Sequence, residues 1–161
     1  MGGVCLHSLR WLIFVYQDAP ILEFPIDFVE KLTVATQGMK VLVVEDNEVN
    51  LLLMQSILKL NGCNTLSAMT SSEGIDCARR ESPDLIFLDI QLPDGDGLDA
   101  AVEMRKFLGA NVPIAVLTAH AFQDYRIRAG KASCQYFITK PLSVATIESV
   151  LREVASAKDR P

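Results

Sequence analysis

Two hydrophobic patterns alternate along the chain from residue 39 onward. Short apolar runs stand at Val41–Val44, Leu85–Leu88 and Ile114–Leu117, with weaker candidates at Cys63–Ala68 and Gln135–Ile138. Between them lie stretches in which apolar residues recur every three or four positions. Val49, Leu52, Leu53, Ile57 and Leu60 predict one helix and its buried face, stopped by Asn61-Gly62. Thr70-Ser-Ser-Glu73 has capping-box spacing and opens a second helix to about Arg80. Leu98, Ala101, Val102 and Leu108 mark a third. A poorer one runs from about Phe122 to Ala129 before Gly130, and Ile147, Val150, Leu151 and Val154 stripe the last.

Five strands alternating with five helices define an α/β fold. The near-continuous apolar runs are those of strands buried on both faces of a parallel sheet. Right-handed crossovers then give a three-layer sandwich. Residues 1–38 stand outside the rhythm: they are apolar, are broken by Pro20 and Pro25, and carry Glu23, Asp27 and Glu30. Two readings apply to this N-terminal extension, a passive leader or a short helix over about Ile26–Ala35 that docks on the domain or a partner. The folded domain is expected over 39–161.

Composition narrows the class. Of 161 residues, 50% are hydrophobic and 22% charged, which excludes a chain disordered throughout. A net charge of −5 argues against binding nucleic acid by an electrostatic patch. No run reaches the length of a membrane span; Leu9–Tyr16 is short and contains Arg10. The cysteines at 5, 63, 77 and 134 form no C-x-x-C pair and lie apart from His7 and His120, so they read as thiols of a reducing compartment, and a cytoplasmic location is expected.

Candidate chemistry collects at the strand ends. In an open parallel sheet, ligands bind outside the carboxyl ends of the strands. Those ends carry Glu45 and Asp46, then Asp89, Thr118 and Lys140. Clustered carboxylates repel unless a cation intervenes, and an oxygen-only set suits Mg²⁺. Asp89 is placed to act as a nucleophile toward a phosphoryl group, with Lys140 and Thr118 on the phosphoryl oxygens. Singly, each residue has an ordinary explanation, such as a helix N-terminal acid or a surface lysine. Together they would be a coincidence at four strand ends. His120 reads as an exposed loop residue, and Gly95 and Gly97 as turn formers.

The runs Val41-Leu-Val-Val-Glu-Asp-Asn-Glu-Val-Asn50, Leu88-Asp-Ile-Gln-Leu-Pro-Asp-Gly-Asp-Gly97, Ala115-Val-Leu-Thr-Ala-His-Ala121 and Tyr136-Phe-Ile-Thr-Lys-Pro141 resemble the receiver domains of two-component response regulators, in wording most like receivers of hybrid histidine kinases. The resemblance covers 39 to about 155. It implies a flavodoxin-like sheet of order 2-1-3-4-5. It also implies Asp89 as phosphoacceptor, and Mg²⁺ held by Glu45, Asp46, Asp89 and the backbone carbonyl of Gln91. Thr118 and Lys140 would contact the phosphoryl group, Thr118 and Phe137 would form a switch, and Lys140-Pro141 is a cis-peptide candidate. Glu45 stands where Asp is commoner, and Phe137 lacks the hydroxyl of the common Tyr.

The implied partners are a histidine kinase or histidine phosphotransfer protein, and a downstream protein met through the face of helix 4, strand 5 and helix 5. No nucleic acid or membrane partner and no separate enzymatic substrate are expected. With helix 5 at the end of the sequence, the expectation is either output through protein contacts, as a stand-alone receiver, or a receiver detached from a larger hybrid kinase. Other classes fit less well. A haloacid-dehalogenase-type phosphatase wants a second acid two residues after the nucleophile, where Gln91 stands. A flavin carrier wants a hydroxyl-rich loop after strand 1, where Glu45-Asp46-Asn47-Glu48 stands. A pseudo-receiver that binds partners without phosphorylation is the remaining alternative.

Overall fold

The computed structural model describes residues 11–14, 22–25, 35–119 and 122–158. His120, and most of the stretch in which the short N-terminal helix was expected, lie outside the described residues; Ala35 and Thr36 are helical. Trp11–Phe14 and Leu22–Pro25 pair as an antiparallel two-stranded sheet.

The main body has strands β1 (Lys40–Val44), β2 (Asn64–Ala68), β3 (Leu85–Asp89), β4 (Ile114–Thr118) and β5 (Tyr136–Thr139). They interleave with helices α1 (Glu48–Leu60), α2 (Ser71–Glu81), α3 (Gly97–Leu108), α4 (Gln123–Lys131) and α5 (Val144–Lys158). All four pairings of the five-stranded sheet are parallel, in the order β2-β1-β3-β4-β5. This is the flavodoxin-like order, with the crossover direction changing between β1 and β3.

Every residue of β3 and β4 is buried, as the continuous apolar runs predict, whereas the edge strand β2 is half exposed. Alternation along each strand splits the core into two layers. Val41, Val43, Leu85, Phe87, Ala115 and Leu117 face α1 and α5, packing on Met54, Leu58, Ile147 and Leu151. Leu42, Val44, Ile86, Leu88, Ile114 and Val116 face α2, α3 and α4, packing on Ala78, Leu98, Met104 and Ala129.

The buried face of α1 differs from the expected one. Met54, Ile57 and Leu58 pack inward, while Val49, Leu52, Leu53 and Leu60 are exposed. With Leu51, Leu52 and Leu53 consecutive, apolar residues lie on both sides of this helix. Periodicity alone therefore fits two faces, and the sheet selects the one carrying Met54 and Leu58.

Helix starts follow local chemistry. Asn47 caps α1 by accepting from the Val49 and Asn50 amides at 3.1 and 3.0 Å. Thr70 caps α2 through the Glu73 amide at 3.1 Å, and Glu73 reaches back to the Met69 amide at 3.0 Å, one residue before the usual capping-box partner. Asp96 caps α3 through the Leu98 amide at 2.8 Å. The chain is tied to the body from before β1: buried Thr36 donates its hydroxyl to the Asn61 carbonyl at the end of α1, and the Gly38 amide donates to the Gly62 carbonyl at 2.9 Å.

Candidate functional site

The strand order makes the site. Because β1 lies between β2 and β3, the helices leaving β1 and β3 go to opposite faces, and a crevice opens between those strand ends. Glu45 follows β1, and its amide donates to the Ala68 carbonyl at 3.1 Å, continuing the sheet. Its side chain is completely buried; Asp46 next to it is exposed, and Asp89 at the end of β3 is 4% exposed. One carboxylate oxygen from each of the three lies within 4.8 Å of the others.

Lys140, just past β5, reaches into this cluster. Its Nζ donates to Glu45 Oε1 at 2.9 Å and to Asp89 Oδ2 at 2.5 Å. Burial alone would pull this ammonium's pKa down, but the hydrogen bonds to Asp89 and Glu45 outweigh it and hold the pKa above the ordinary lysine value. Asn50 Nδ2 donates to Glu45 Oε1 at 3.0 Å, so that oxygen has two donors. Glu45 Oε2 is buried and accepts no hydrogen bond, its contact with Lys140 Nζ at 2.7 Å being an ion pair. A buried carboxylate oxygen with a lone pair to spare, beside two further carboxylates, fits a hard divalent cation.

Asp89 Oδ1 accepts from the Gln91 amide at 3.0 Å, which fixes the carboxylate plane. Gln91 itself is exposed and begins a small hairpin, Gln91–Leu92 pairing with Gly95–Asp96. Thr118 is 1% exposed at the end of β4, and its carbonyl accepts from the Lys140 amide at 2.7 Å. The Lys140–Pro141 peptide is cis. Phe137 is set back from this rim: it pairs in register with Val116, packs half-buried in the α2–α3–α4 layer, and has the Arg126 guanidinium 4.7 Å from its ring centroid. The structure thus brings Glu45, Asp46, Asp89 and Lys140 into one cluster, with Thr118 on the same rim and Phe137 in the helical layer behind it.

Three supporting contacts have no signature in the local sequence. Asp94, in the loop after β3, accepts from the Ser71 and Ser72 amides at 2.7 and 3.0 Å and from the Ser72 hydroxyl at 2.8 Å, a second cap on α2 supplied from a distance. Those bonds hold its carboxyl well below the ordinary aspartate range. On the other side of the loop, Asp96 pairs with Arg128 of α4 at 2.7 Å. Gly97 packs so closely on the strand end that a β-carbon there would lie 1.9 Å from the Asp89 carbonyl oxygen. It serves close approach, and not the turn geometry its position suggests.

The family model for the response regulator receiver domain matches residues 41–152. This chain belongs to that family, and it is a receiver domain of the two-component type. It is 36% identical over 120 residues to the polar-differentiation response regulator DivK of Brucella ovis, covering 69% of this chain and 94% of that protein. Among solved structures it resembles the receiver domain of a sensor histidine kinase from Pseudomonas aeruginosa PAO1, with a magnesium ion coordinated in its active-site cleft. Identity there is 31%, the TM-score is 0.68, and 74% of this chain and 98% of that chain are covered. The non-phosphorylated receiver domain of HemR from Leptospira biflexa matches at 32% identity and TM-score 0.69, over 76% and 98% of the two chains. No helix among the described residues is long and apolar enough to cross a membrane.

Proposed function

We propose that Asp89 is the phosphoacceptor of a phosphorelay, loaded from a phosphohistidine on a histidine kinase or histidine phosphotransfer protein. The observation that carries this reading is the cluster itself: a nearly buried aspartate held by a lysine, with two further acids within 4.8 Å. In the transfer, one Asp89 carboxylate oxygen forms a bond to phosphorus. The phosphorus–nitrogen bond breaks with its electron pair going to the imidazole, leaving an acyl phosphate. Water attack later releases inorganic phosphate and restores the carboxylate.

Mg²⁺ would be held by the Glu45, Asp46 and Asp89 carboxylates and the Gln91 backbone carbonyl. When bound it supplies positive charge against the phosphoryl oxygens. The chain's own residues do the rest. Lys140, already on Asp89, turns its ammonium to a phosphoryl oxygen once the carboxylate is esterified, and Thr118 donates its hydroxyl to another. The Gln91 amide orients Asp89 for attack. Movement of Thr118 and repacking of Phe137 against Arg126 would carry the change to the α4–β5–α5 face, where a downstream protein binds. The unpaired Cys63, Cys77 and Cys134 fit a cytoplasmic setting.

The experiment is phosphorylation by phosphoramidate, whose phosphorus–nitrogen bond mimics phosphohistidine, across a Mg²⁺ titration. The wild type is expected to load only with Mg²⁺. Asp46→Asn should raise the Mg²⁺ concentration needed by about tenfold or more. Loading that is indifferent to Mg²⁺ and to Asp46 would overturn the assignment.

A further inference from the structure

The loop that leaves Asp89 is fastened to α4 by one arginine. Arg128, in the last turn of α4, places Nη2 2.7 Å from Asp96 Oδ2 and 3.6 Å from Asp99 Oδ1. Both Asp96 oxygens are engaged, since Oδ1 accepts the Leu98 amide at 2.8 Å and starts α3. The Arg128 and Asp96 side chains are 41% and 30% exposed, so the pair adds little to stability by itself. Its place in the loop gives it another use.

Asp96 is the hairpin partner of Gln91. The Gln91 amide donates to Asp89 Oδ1 at 3.0 Å, and the amide of Gly97, next to Asp96, donates to the Ile90 carbonyl at 2.8 Å. A continuous set of contacts therefore runs from α4 through Arg128, Asp96 and the Gln91 backbone to the Asp89 carboxylate. Thr118 and Phe137 are not members of it. Two residues earlier on α4, Arg126 lies over the Phe137 ring. The helix thus reaches the region of the site along two separate lines.

We propose that Arg128 is a positioning residue for the acidic site: through Asp96 it sets the Gln91 backbone, and with it the Asp89 carboxylate and the carbonyl that would face the metal. Groups behind a metal's ligands orient those ligands and tune their affinity. Only the metal half of this claim rests on the Mg²⁺ site proposed above. The setting of Gln91 and Asp89 does not.

Amide hydrogen exchange by NMR on the metal-free full chain is the first test, on wild type, Arg128→Ala, Arg128→Lys and Lys131→Ala. Arg128→Ala is expected to exchange the Gln91 amide about threefold faster, the scale of a half-exposed charge pair. Arg128→Lys should restore the wild-type rate. Lys131→Ala, which removes the other cation of the same last turn, should keep it. Unchanged Gln91 exchange in Arg128→Ala overturns the proposal. So does an equal acceleration in Lys131→Ala, which would trace the effect to fraying of α4, or a failure of lysine to restore the rate, which would trace it to lost packing.

Mg²⁺ titration of the same proteins, read from their amide shifts, sets charge against position. Removing a cation near an acidic site should by charge alone tighten Mg²⁺ binding, whereas loss of positioning should weaken it, by about threefold on the same scale. Weaker binding in Arg128→Ala than in both wild type and Lys131→Ala supports the proposal, and equal or tighter binding overturns its metal half. A wild type that binds no Mg²⁺, while Gln91 exchange still depends on Arg128, overturns the metal site and supports the positioning role.

Discussion

Gly97 and Asp89 are in backbone contact: a β-carbon at Gly97 would sit 1.9 Å from the Asp89 carbonyl oxygen, and the Gly97 amide donates to the neighbouring Ile90 carbonyl at 2.8 Å. The first turn of α3 is thus pressed against the strand that presents Asp89. Gly97→Ala must displace backbone and should cost about 2 kcal/mol or more. Gly95→Ala, whose β-carbon would meet only Ser71 Oγ at 3.7 Å, should stay within about 0.5 kcal/mol of wild type. Urea unfolding of both variants checks the pair, and equal costs would mean the close approach has no energetic weight.

Asp94 couples the loop after β3 to α2, and this contact should be visible as a pH dependence. Its carboxyl pKa is depressed in the folded chain by the bonds from Ser72 and Ser71. A depressed acid adds stability above its unfolded pKa of about 3.9, and that stability is lost as the pH falls toward the folded value. Asp94→Asn should therefore lower the thermal midpoint at pH 7, with the gap to wild type closing below about pH 4. A gap that persists unchanged into strong acid would contradict the ionised cap.

Arg105 holds the far end of the molecule together. Its guanidinium donates to the Gly109, Val112 and Ser133 carbonyls at 2.9, 2.6 and 2.8 Å, and to Gln135 Oε1 at 3.0 Å. Burial lowers its pKa from the ordinary arginine value, and its two terminal nitrogens join the α3–β4 loop to the approach to β5, while the buried Nε makes no hydrogen bond. Arg105→Ala should cost about 2–4 kcal/mol by stranding carbonyls, and Arg105→Lys should recover little because one ammonium cannot span the fork. Denaturant midpoints of the two variants decide it; full rescue by lysine would reduce the role to charge.

Much of this was legible in the chain. Apolar runs located β1, β3 and β4, because strands covered on both faces admit few polar residues, and the strand ends then named Glu45, Asp46, Asp89, Thr118 and Lys140. The phase of α1 was not legible, since three consecutive leucines satisfy either face and only the sheet chooses between them. Asp94, Arg105 and Gly97 were missed for another reason. Their partners are backbone groups on other elements, and neither periodicity nor composition records which carbonyl or amide a side chain will meet.

Lys140 and Asp89 form the electrostatic centre of the site, with Glu45 behind them. Lys140→Met would leave two buried carboxylates without their ammonium, at a cost of about 3–5 kcal/mol. Mg²⁺ should then raise the thermal midpoint of the variant more than that of the wild type, because the cation takes over the missing charge. An equal or smaller Mg²⁺ effect in the variant would mean the metal does not share the lysine's carboxylates.

The central claim, that Asp89 accepts a phosphoryl group, is tested most directly by intact mass after incubation with acetyl phosphate, with and without Mg²⁺, on wild type and Asp89→Asn. The account predicts a single phosphoryl adduct on the wild type that requires Mg²⁺ and is missing from the variant. No adduct on a folded wild type with Mg²⁺ present, or an adduct that survives in Asp89→Asn, would contradict it and leave a receiver fold acting as a protein-binding module.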